Sequence, residues 1–190
     1  MGNYRKLDTS VKCLTESDIS CEKSQDIQEY SHFHELIDNL PYMMMTILGT
    51  VIFFTGIGSL WRLITAGLYV LYGIAGAFWI IVFVCPYCHY YDTRLCPCGY
   101  GKIAAKLRPK KSDTLFTEKY KRHIPVIVPL WIAPVIAGGI SLILNFSLWI
   151  LVLIVLFAVN SFIVLPLLSR KYGCAHCPQE DQCPWMRQKG

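Results

Sequence analysis

Charged residues are scarce in this chain of 190 residues: they make up 16% of it, whereas hydrophobic residues make up 54%. From Tyr42 to Val84 the only charged residue is Arg62, and from Ile124 to Leu168 there is none. This composition excludes an ordinary soluble domain, which needs a larger share of solvated surface. Because roughly 20 helical residues cross a hydrocarbon layer about 30 Å thick, each stretch is long enough to cross twice.

Histidine is also missing from the apolar stretches, since all five histidines lie outside them. A haem held between membrane helices needs histidine ligands there, and ion or proton paths need ionisable groups inside the bilayer. The sequence therefore disfavours a haem cytochrome and a pump. Residues 1–40 carry eight acids and four bases before any apolar run begins, so we do not expect a signal peptide.

We predict an all-α integral membrane protein with four transmembrane helices in two hairpins and a cytosolic cysteine-rich metal-binding cap. Breaks at Pro41, Arg62 and Asn145 limit the predicted spans to 42–60, 63–84, 124–144 and 146–168. The chain then divides into an acidic cytosolic tail (1–40), a first hairpin (41–84), a cysteine-rich basic cytosolic loop (85–123), a second hairpin (124–168) and a cysteine-rich cytosolic tail (169–190).

Basic residues flank the apolar stretches on one side only. The segment 85–123 holds nine Lys and Arg residues against three acids, whereas the predicted hairpin turns contribute Arg62 alone. The C-terminal tail adds four more bases, Arg170, Lys171, Arg187 and Lys189. By the positive-inside rule, we expect a multi-pass protein of the cell membrane with both termini and the central loop in the cytosol.

The central loop contains a short amphipathic pattern. Ile103, Ala104 and Leu107 predict a basic helix that Pro109 ends. Such a helix commonly lies on anionic headgroups. The same bases would also suit a docking face for an acidic soluble partner.

Seven of the nine cysteines directly follow predicted spans on this same side. Cys85, Cys88, Cys96 and Cys98 follow the first hairpin, and Cys174, Cys177 and Cys183 follow the second. Each group is a Cys-x-x-Cys pair followed by Cys-Pro, which indicates a repeated hairpin-plus-cysteine unit. Because thiols facing the cytosol are kept reduced, metal binding is favoured over structural disulfides.

The first group is complete with four sulfurs, whereas the second needs one more donor. His176, His89, a tail cysteine (Cys13 or Cys21) or the other repeat could supply it. The predicted metal ligands are Cys85, Cys88, Cys96, Cys98, Cys174, Cys177, Cys183 and His176. Four cysteines precede proline, as in two-cluster ferredoxins, which favours iron–sulfur clusters. Structural zinc, bound by similar turns, is the alternative.

Three short motifs suggest other chemistry. The pattern C-P-Y-C-H at 85–89 matches c-type haem attachment, which belongs on the opposite side of the membrane. Its first four residues resemble the glutaredoxin active site. In that family the motif lies at the start of a helix, whereas here it follows the end of one. The C-terminal end of a helix is negative, so it disfavours a thiolate. Cys96-Pro97-Cys98 resembles the copper-transporting ATPase motif, which lies within the membrane. Cysteine-based redox catalysis or sensing is a third reading.

The expected function is that of a membrane-anchoring electron-transfer subunit with one or two iron–sulfur clusters on its cytosolic face. It would link a soluble or membrane redox partner to a membrane quinone. The alternative is a non-enzymatic scaffold whose cap is stabilised by zinc. The sequence has no catalytic acid–base constellation, so we assign no catalytic residue. The expected partners are the lipid bilayer and a redox partner subunit, and we expect no binding to nucleic acid.

Small, polar and aromatic residues inside the spans are expected to serve packing. Glycines at 73, 76, 138 and 139 should let neighbouring helices approach closely. Polar residues expected to make helix–helix contacts are Asn160, Ser161, Ser141, Thr46, Thr50, Thr55 and Thr65. Residues expected to face lipid or the interface are Met43, Met44, Met45, Trp61, Trp79, Trp131, Trp149, Tyr69 and Tyr72.

Overall fold

The computed structural model describes residues 32–56, 58, 61–93, 96 and 98–173. Over these residues the chain forms helices and turns and no strand. The α-helices are α1 (His32–Gly56), α2 (Arg62–Phe83), α3 (Tyr100–Leu107), α4 (Phe116–His123), α5 (Pro129–Leu144), α6 (Leu148–Val159) and α7 (Leu165–Leu168). Short 3₁₀ segments cover Cys85–Tyr87, Asp113–Leu115 and Ile124–Ile127, and π-helical segments cover Asn160–Val164 and Ser169–Gly173.

Four helical stretches are long and apolar enough to cross a membrane, as predicted. They are Glu35–Gly56, Arg62–Tyr87, Asp113–Leu144 and Leu148–Lys171. Of the 18 most apolar consecutive residues in each stretch, only 22–28% are buried inside the protein. The remaining apolar surface is far larger than water tolerates on a monomer, so it suits contact with lipid. The protein is therefore a multi-pass membrane protein by length and composition.

The first long helix begins earlier than predicted. It starts at His32 and runs through Pro41, whereas the sequence placed the proline before the span. A proline inside a membrane helix removes one backbone donor and is tolerated where neighbouring groups bind the backbone around it. The carbonyl that loses its helical donor to this proline is that of Ile37, which precedes the apolar run. Asn160 in the fourth span binds the next turn, where its Nδ2 donates to Pro41 O at 2.9 Å.

The third long helical stretch begins at Asp113, before the predicted limit of 124, but its main α-helix begins after that limit. Residues Ile124–Ile127 form a 3₁₀ turn, and α5 starts only at Pro129. Proline suits the first turn of a helix, where its missing N–H is not needed. Before this turn lies α4, an eight-residue basic helix in a segment that the sequence pattern assigned to the loop. Its Phe116 is buried against Val84 and Tyr87 at the end of α2.

The fourth span changes helix type along its length. After α6, the segment Asn160–Val164 is π-helical, and α7 follows with Pro166 near its start. In an α-helix the N–H of residue 166 would pair with the carbonyl of Phe162, but proline has no N–H. A wider π turn directly before the proline accommodates this loss.

The core of the bundle is built from α1, α2, α5 and α6. The six buried residues that form it are Met45, Ile52, Tyr69, Leu130, Leu153 and Phe157. Tyr69 and Met45 were expected to face lipid or the interface, and this was wrong: they are 6% and 0% exposed. Tyr69 is buried because its hydroxyl donates to Leu130 O at 2.9 Å, so its polar end is satisfied between helices.

Most polar side chains in the spans bind backbone carbonyls, in two different ways. Ser141 and Asn160 join helices, as predicted, since Ser141 Oγ donates to Gly56 O at 2.9 Å and Asn160 to Pro41 O. The threonines instead bind the preceding turn of their own helix, and these are Thr46, Thr50, Thr55 and Thr65. This local bond satisfies the hydroxyl without a partner helix. Thr46 also lies beside Gly73 on α2, so it takes part in the contact between helices as expected.

Gly49 offers a test of the close approach between α1 and α2. A Cβ added there would overlap the Tyr69 ring, which the bond to Leu130 O holds in place. We expect Gly49→Ala to lower the free energy of unfolding by about 1–3 kcal/mol through overpacking. The measurement is chemical unfolding of the purified protein in detergent.

Gly67→Ala is the matched control for this substitution, because a Cβ at residue 67 meets nothing within 4 Å. The control variant should unfold like the original protein or slightly later. Equal unfolding of the two variants would show that α1 and α2 do not approach closely at Gly49.

Candidate metal centre

The first cysteine pair lies in a tight turn at the end of α2. Cys85, Pro86 and Tyr87 form a 3₁₀ turn, and the Cys88 N–H donates to Cys85 O at 3.0 Å. Proline suits this turn, because it fixes its own backbone angle and its missing N–H is not needed there. The turn therefore holds the backbones of both cysteines close together just beyond the apolar helix.

The second cysteine pair lies directly before α3. The N–H of Gly99 donates to Cys96 O at 3.0 Å, and Gly99 takes the left-handed conformation with φ of 72°. Glycine adopts this conformation without strain, so it allows the sharp turn into α3. The N–H of Gly101 points back to the Cys96 Sγ at 3.4 Å.

The four thiols lie at one end of the bundle. Burial raises the pKa of the Cys85 thiol above its usual range, and the neighbouring thiols of Cys96 and Cys88 raise it further. Cys98 lies near the phenol of Tyr100, which is also within range of Cys85 and Cys96. Burial raises the pKa of Tyr100 above its usual range, and these thiols raise it further, with Cys98 the largest contributor among them. The phenol therefore stays protonated and able to donate a hydrogen bond.

The four cysteines lie in neighbouring turns, but their side chains do not form a complete metal-binding site. All four cysteines are partly buried. Within the described residues, no group of three or more His, Cys, Asp or Glu side chains is arranged to hold a metal ion. Three or more ligands on one ion would require side-chain movement here, or donors from other parts of the chain.

The second predicted ligand group falls outside the described residues. It comprises Cys174, Cys177, Cys183 and His176, and the tail residues Cys13 and Cys21 are likewise outside. His89, a predicted alternative donor, is described and interacts elsewhere. Its Nδ1 lies 3.7 Å from Asp113 Oδ2, and its ring meets that of Tyr90 edge-on at 5.8 Å.

Two residues at the start of α1 support the cysteine segment, and the sequence pattern did not single them out. Asn39 Nδ2 donates to Cys98 O at 3.1 Å and to Glu35 O at 2.7 Å. The carboxylate of Glu35 lies against Gly99, with its carbon 3.4 Å from where a Cβ there would be. The sequence signal that could have indicated this support is Asn39 itself, an amide residue just before the first apolar run.

No family model matches the chain, and neither a curated protein sequence nor a solved structure shows significant similarity to it. The chemistry of the cysteine segment therefore follows from its own residues.

The bond from Asn39 to Cys98 O can be tested through thiol reactivity. In reduced, metal-free protein, Asn39→Ala should speed alkylation of Cys98 by about two- to tenfold, because one lost hydrogen bond costs about 0.5–1.5 kcal/mol. Mass spectrometry of the maleimide-treated full chain measures this rate. Asn145→Ala, at a turn remote from the cysteines, should leave the rate unchanged; equal rates in all three proteins would contradict the contact.

Proposed function

We propose that the protein is a membrane-anchored electron-transfer subunit whose cytosolic cap binds iron–sulfur clusters. In this proposal Cys85, Cys88, Cys96 and Cys98 hold one cluster. Cys174, Cys177, Cys183 and His176 hold a second. The observation that carries the proposal is that both cysteine pairs lie beyond the end of α2, with Cys98, Cys85 and Cys96 near the phenol of Tyr100.

The surroundings of these thiols suit sulfur ligands. The Gly101 amide donates to the Cys96 sulfur, and hydrogen bonds to ligand sulfurs tune cluster potential. The Tyr100 phenol adds a buried donor nearby. When bound, such a cluster supplies one-electron transfer, while the residues of this chain position the sulfurs and limit the access of water.

The arrangement in the membrane belongs to the same proposal. The four spans would form two hairpins, with the termini and the basic loop 85–123 in the cytosol. The positive bias of that loop supports this orientation, as does the contact between Asn39 on α1 and Cys98. Reducing conditions in the cytosol would then keep the thiols available for metal.

An apolar groove between α1 and α2 supports a quinone as the membrane reactant. The groove holds about 310 Å³ and is lined by Tyr42, Thr46, Gly73, Ile74, Ala77, Phe78 and Ile81. Tyr42 also lies within electrostatic range of Tyr100, which neighbours the thiols. A quinone in this groove would therefore be close to the cysteine segment. The exposed bases Lys102, Lys106, Lys121 and Arg122 suit an acidic soluble donor.

The second candidate is a scaffold whose cap is stabilised by zinc. The hydrogen bonding of the bundle favours it, because the polar groups of Tyr69, Ser141 and Asn160 bind backbone carbonyls. Polar groups used in this way hold helices together and take no part in chemistry. Zinc on the same cysteines would contribute folding free energy only.

Metal analysis separates the two candidates. The full chain purified without oxygen should be brown, with broad visible absorption and with iron and acid-labile sulfide in similar amounts. Cys96→Ser should remove about half of the iron if both clusters form, because one of two ligand groups is lost. A colourless protein with stoichiometric zinc would reject the electron-transfer proposal in favour of the scaffold.

Cys21→Ser is the matched control, since it removes a cysteine outside both proposed ligand groups. Its iron content should equal that of the original protein. Equal loss of iron from the Cys96 and Cys21 variants would contradict the ligand assignment.

The orientation has its own test in intact cells. A membrane-impermeant maleimide should label Gly58→Cys and Phe146→Cys, at exposed turns on the proposed outer side. Cys21 should react only after the membrane is permeabilised. Labelling of Cys21 in intact cells would invert the proposed orientation.

A further inference from the structure

A small basic cavity lies where α2 ends, apart from the cysteine thiols. It holds about 200 Å³ between the end of α2 and the segment that runs from α3 to α4. Two aromatic rings line it, those of Phe83 and Tyr87. Four basic or imidazole side chains also line it, those of Arg108, Lys111, Lys119 and His123. Among the described residues that line it, none is acidic.

The cations are arranged over the aromatic rings. Lys111 Nζ lies 5.5 Å and Lys119 Nζ 5.9 Å from the centre of the Tyr87 ring. The Arg108 guanidinium lies 6.0 Å from the centre of the Phe83 ring. Two ammonium groups from separate segments thus share one ring, and their mutual repulsion is relieved when an anion lies between them.

Nearby carboxylates leave this positive charge largely uncompensated. Glu118 Oε1 lies 3.7 Å from Lys119 Nζ, but its side chain is 63% exposed and the pair is screened by water. Asp113 interacts instead with Lys110, at 3.8 Å, and with His89. The cavity therefore carries three cations against one solvated acid.

Backbone and ring contacts fix the positions of these groups. The Lys111 N–H donates to Pro86 O at 2.9 Å, and the Tyr91 hydroxyl donates to Arg108 O at 2.6 Å. The Trp79 Nε1–H donates to His123 Nδ1 at 3.2 Å, so a neutral His123 carries its proton on Nε2 and is a donor there. The backbone at Arg108 and Lys111 and the His123 ring are thus held beside the cavity.

The depth of the cavity identifies the kind of ligand. Phe83 ends α2, and the apolar span reaches Tyr87, so the cavity lies at the edge of the hydrocarbon layer. Partly exposed Trp79, whose ring is tilted against that of Phe83 with the ring centres 4.4 Å apart, is the residue type typical of this interface. Phosphate groups of lipids occupy this level, and Lys and Arg bind them.

We propose that this cavity binds the phosphate group of an anionic phospholipid. Arg108, Lys111 and Lys119 would contact the phosphate oxygens, and the acyl chains would extend along the apolar end of α2. A lipid with net negative charge is preferred over zwitterionic phosphatidylcholine, whose choline cation the basic rim repels. The proposal is independent of any metal on the cysteines.

Native mass spectrometry of the full chain in neutral detergent tests the proposal with phosphatidylglycerol and phosphatidylcholine as probes. The original protein should bind one phosphatidylglycerol at least about tenfold more tightly than phosphatidylcholine, since each base near the phosphate adds affinity. The variant R108Q/K111Q/K119Q should lose this preference. Millimolar inorganic phosphate should not displace the lipid; displacement would mean that the site takes soluble phosphate, and would overturn the lipid assignment.

The matched control removes the same charge elsewhere. K102Q/K106Q/K121Q changes three exposed lysines of α3 and α4 that do not line the cavity, and it should keep the preference. Loss in both triple variants would show a non-specific charge effect and overturn the proposal. If a triple variant fails to fold, two single variants of equal thermal stability replace them, Lys111→Gln and Lys102→Gln. The first should weaken phosphatidylglycerol binding about threefold or more, and the second should leave it unchanged.

Discussion

A bilayer offers no water to the backbone, so each polar group within the spans needs a partner inside the protein. In this bundle α1 receives or provides the main bonds between helices. Its carbonyls at Pro41 and Gly56 accept hydrogen bonds from Asn160 and Ser141, and its Tyr42 hydroxyl donates to the Gly73 carbonyl on α2 at 2.7 Å. The first helix is thereby joined to each of the other three spans, while the Tyr69 hydroxyl joins α2 directly to α5.

The position of the cysteine segment depends on the same helix. Asn39, near the beginning of α1, binds the carbonyl of Cys98, and the thiols of Cys85 and Cys96 interact across the gap between α2 and α3. The turn at Cys85–Tyr87 and the segment before α3 therefore lie together, because the first directly follows α2 and the second is bound by Asn39 on α1. A metal bound there would join the same elements and add to the stability of the cap.

The spans could be predicted because burying charge in a membrane is costly, so the near-absence of charge between 42 and 84 and between 124 and 168 is a strong signal of membrane helices. The helix limits near Pro41 and Pro129 could not, since a proline can lie before a helix, in its first turn or inside it, and the sequence pattern does not distinguish these positions. The burial of Tyr69 was missed because it depends on the Leu130 carbonyl, which the fold brings in from far along the chain. Cysteine spacing predicted a metal site on these four residues, and this stays a prediction; the support from Asn39 needed the structure.

The cysteine segment and the basic cavity share one turn. Cys85 begins the 3₁₀ turn, and Pro86 and Tyr87, its next two residues, line the cavity. The carbonyl of Pro86 also accepts from the Lys111 N–H, which ties the basic segment to the same three residues. The lipid and the metal proposed above would therefore bind at the two ends of one three-residue turn, with Pro86 between them.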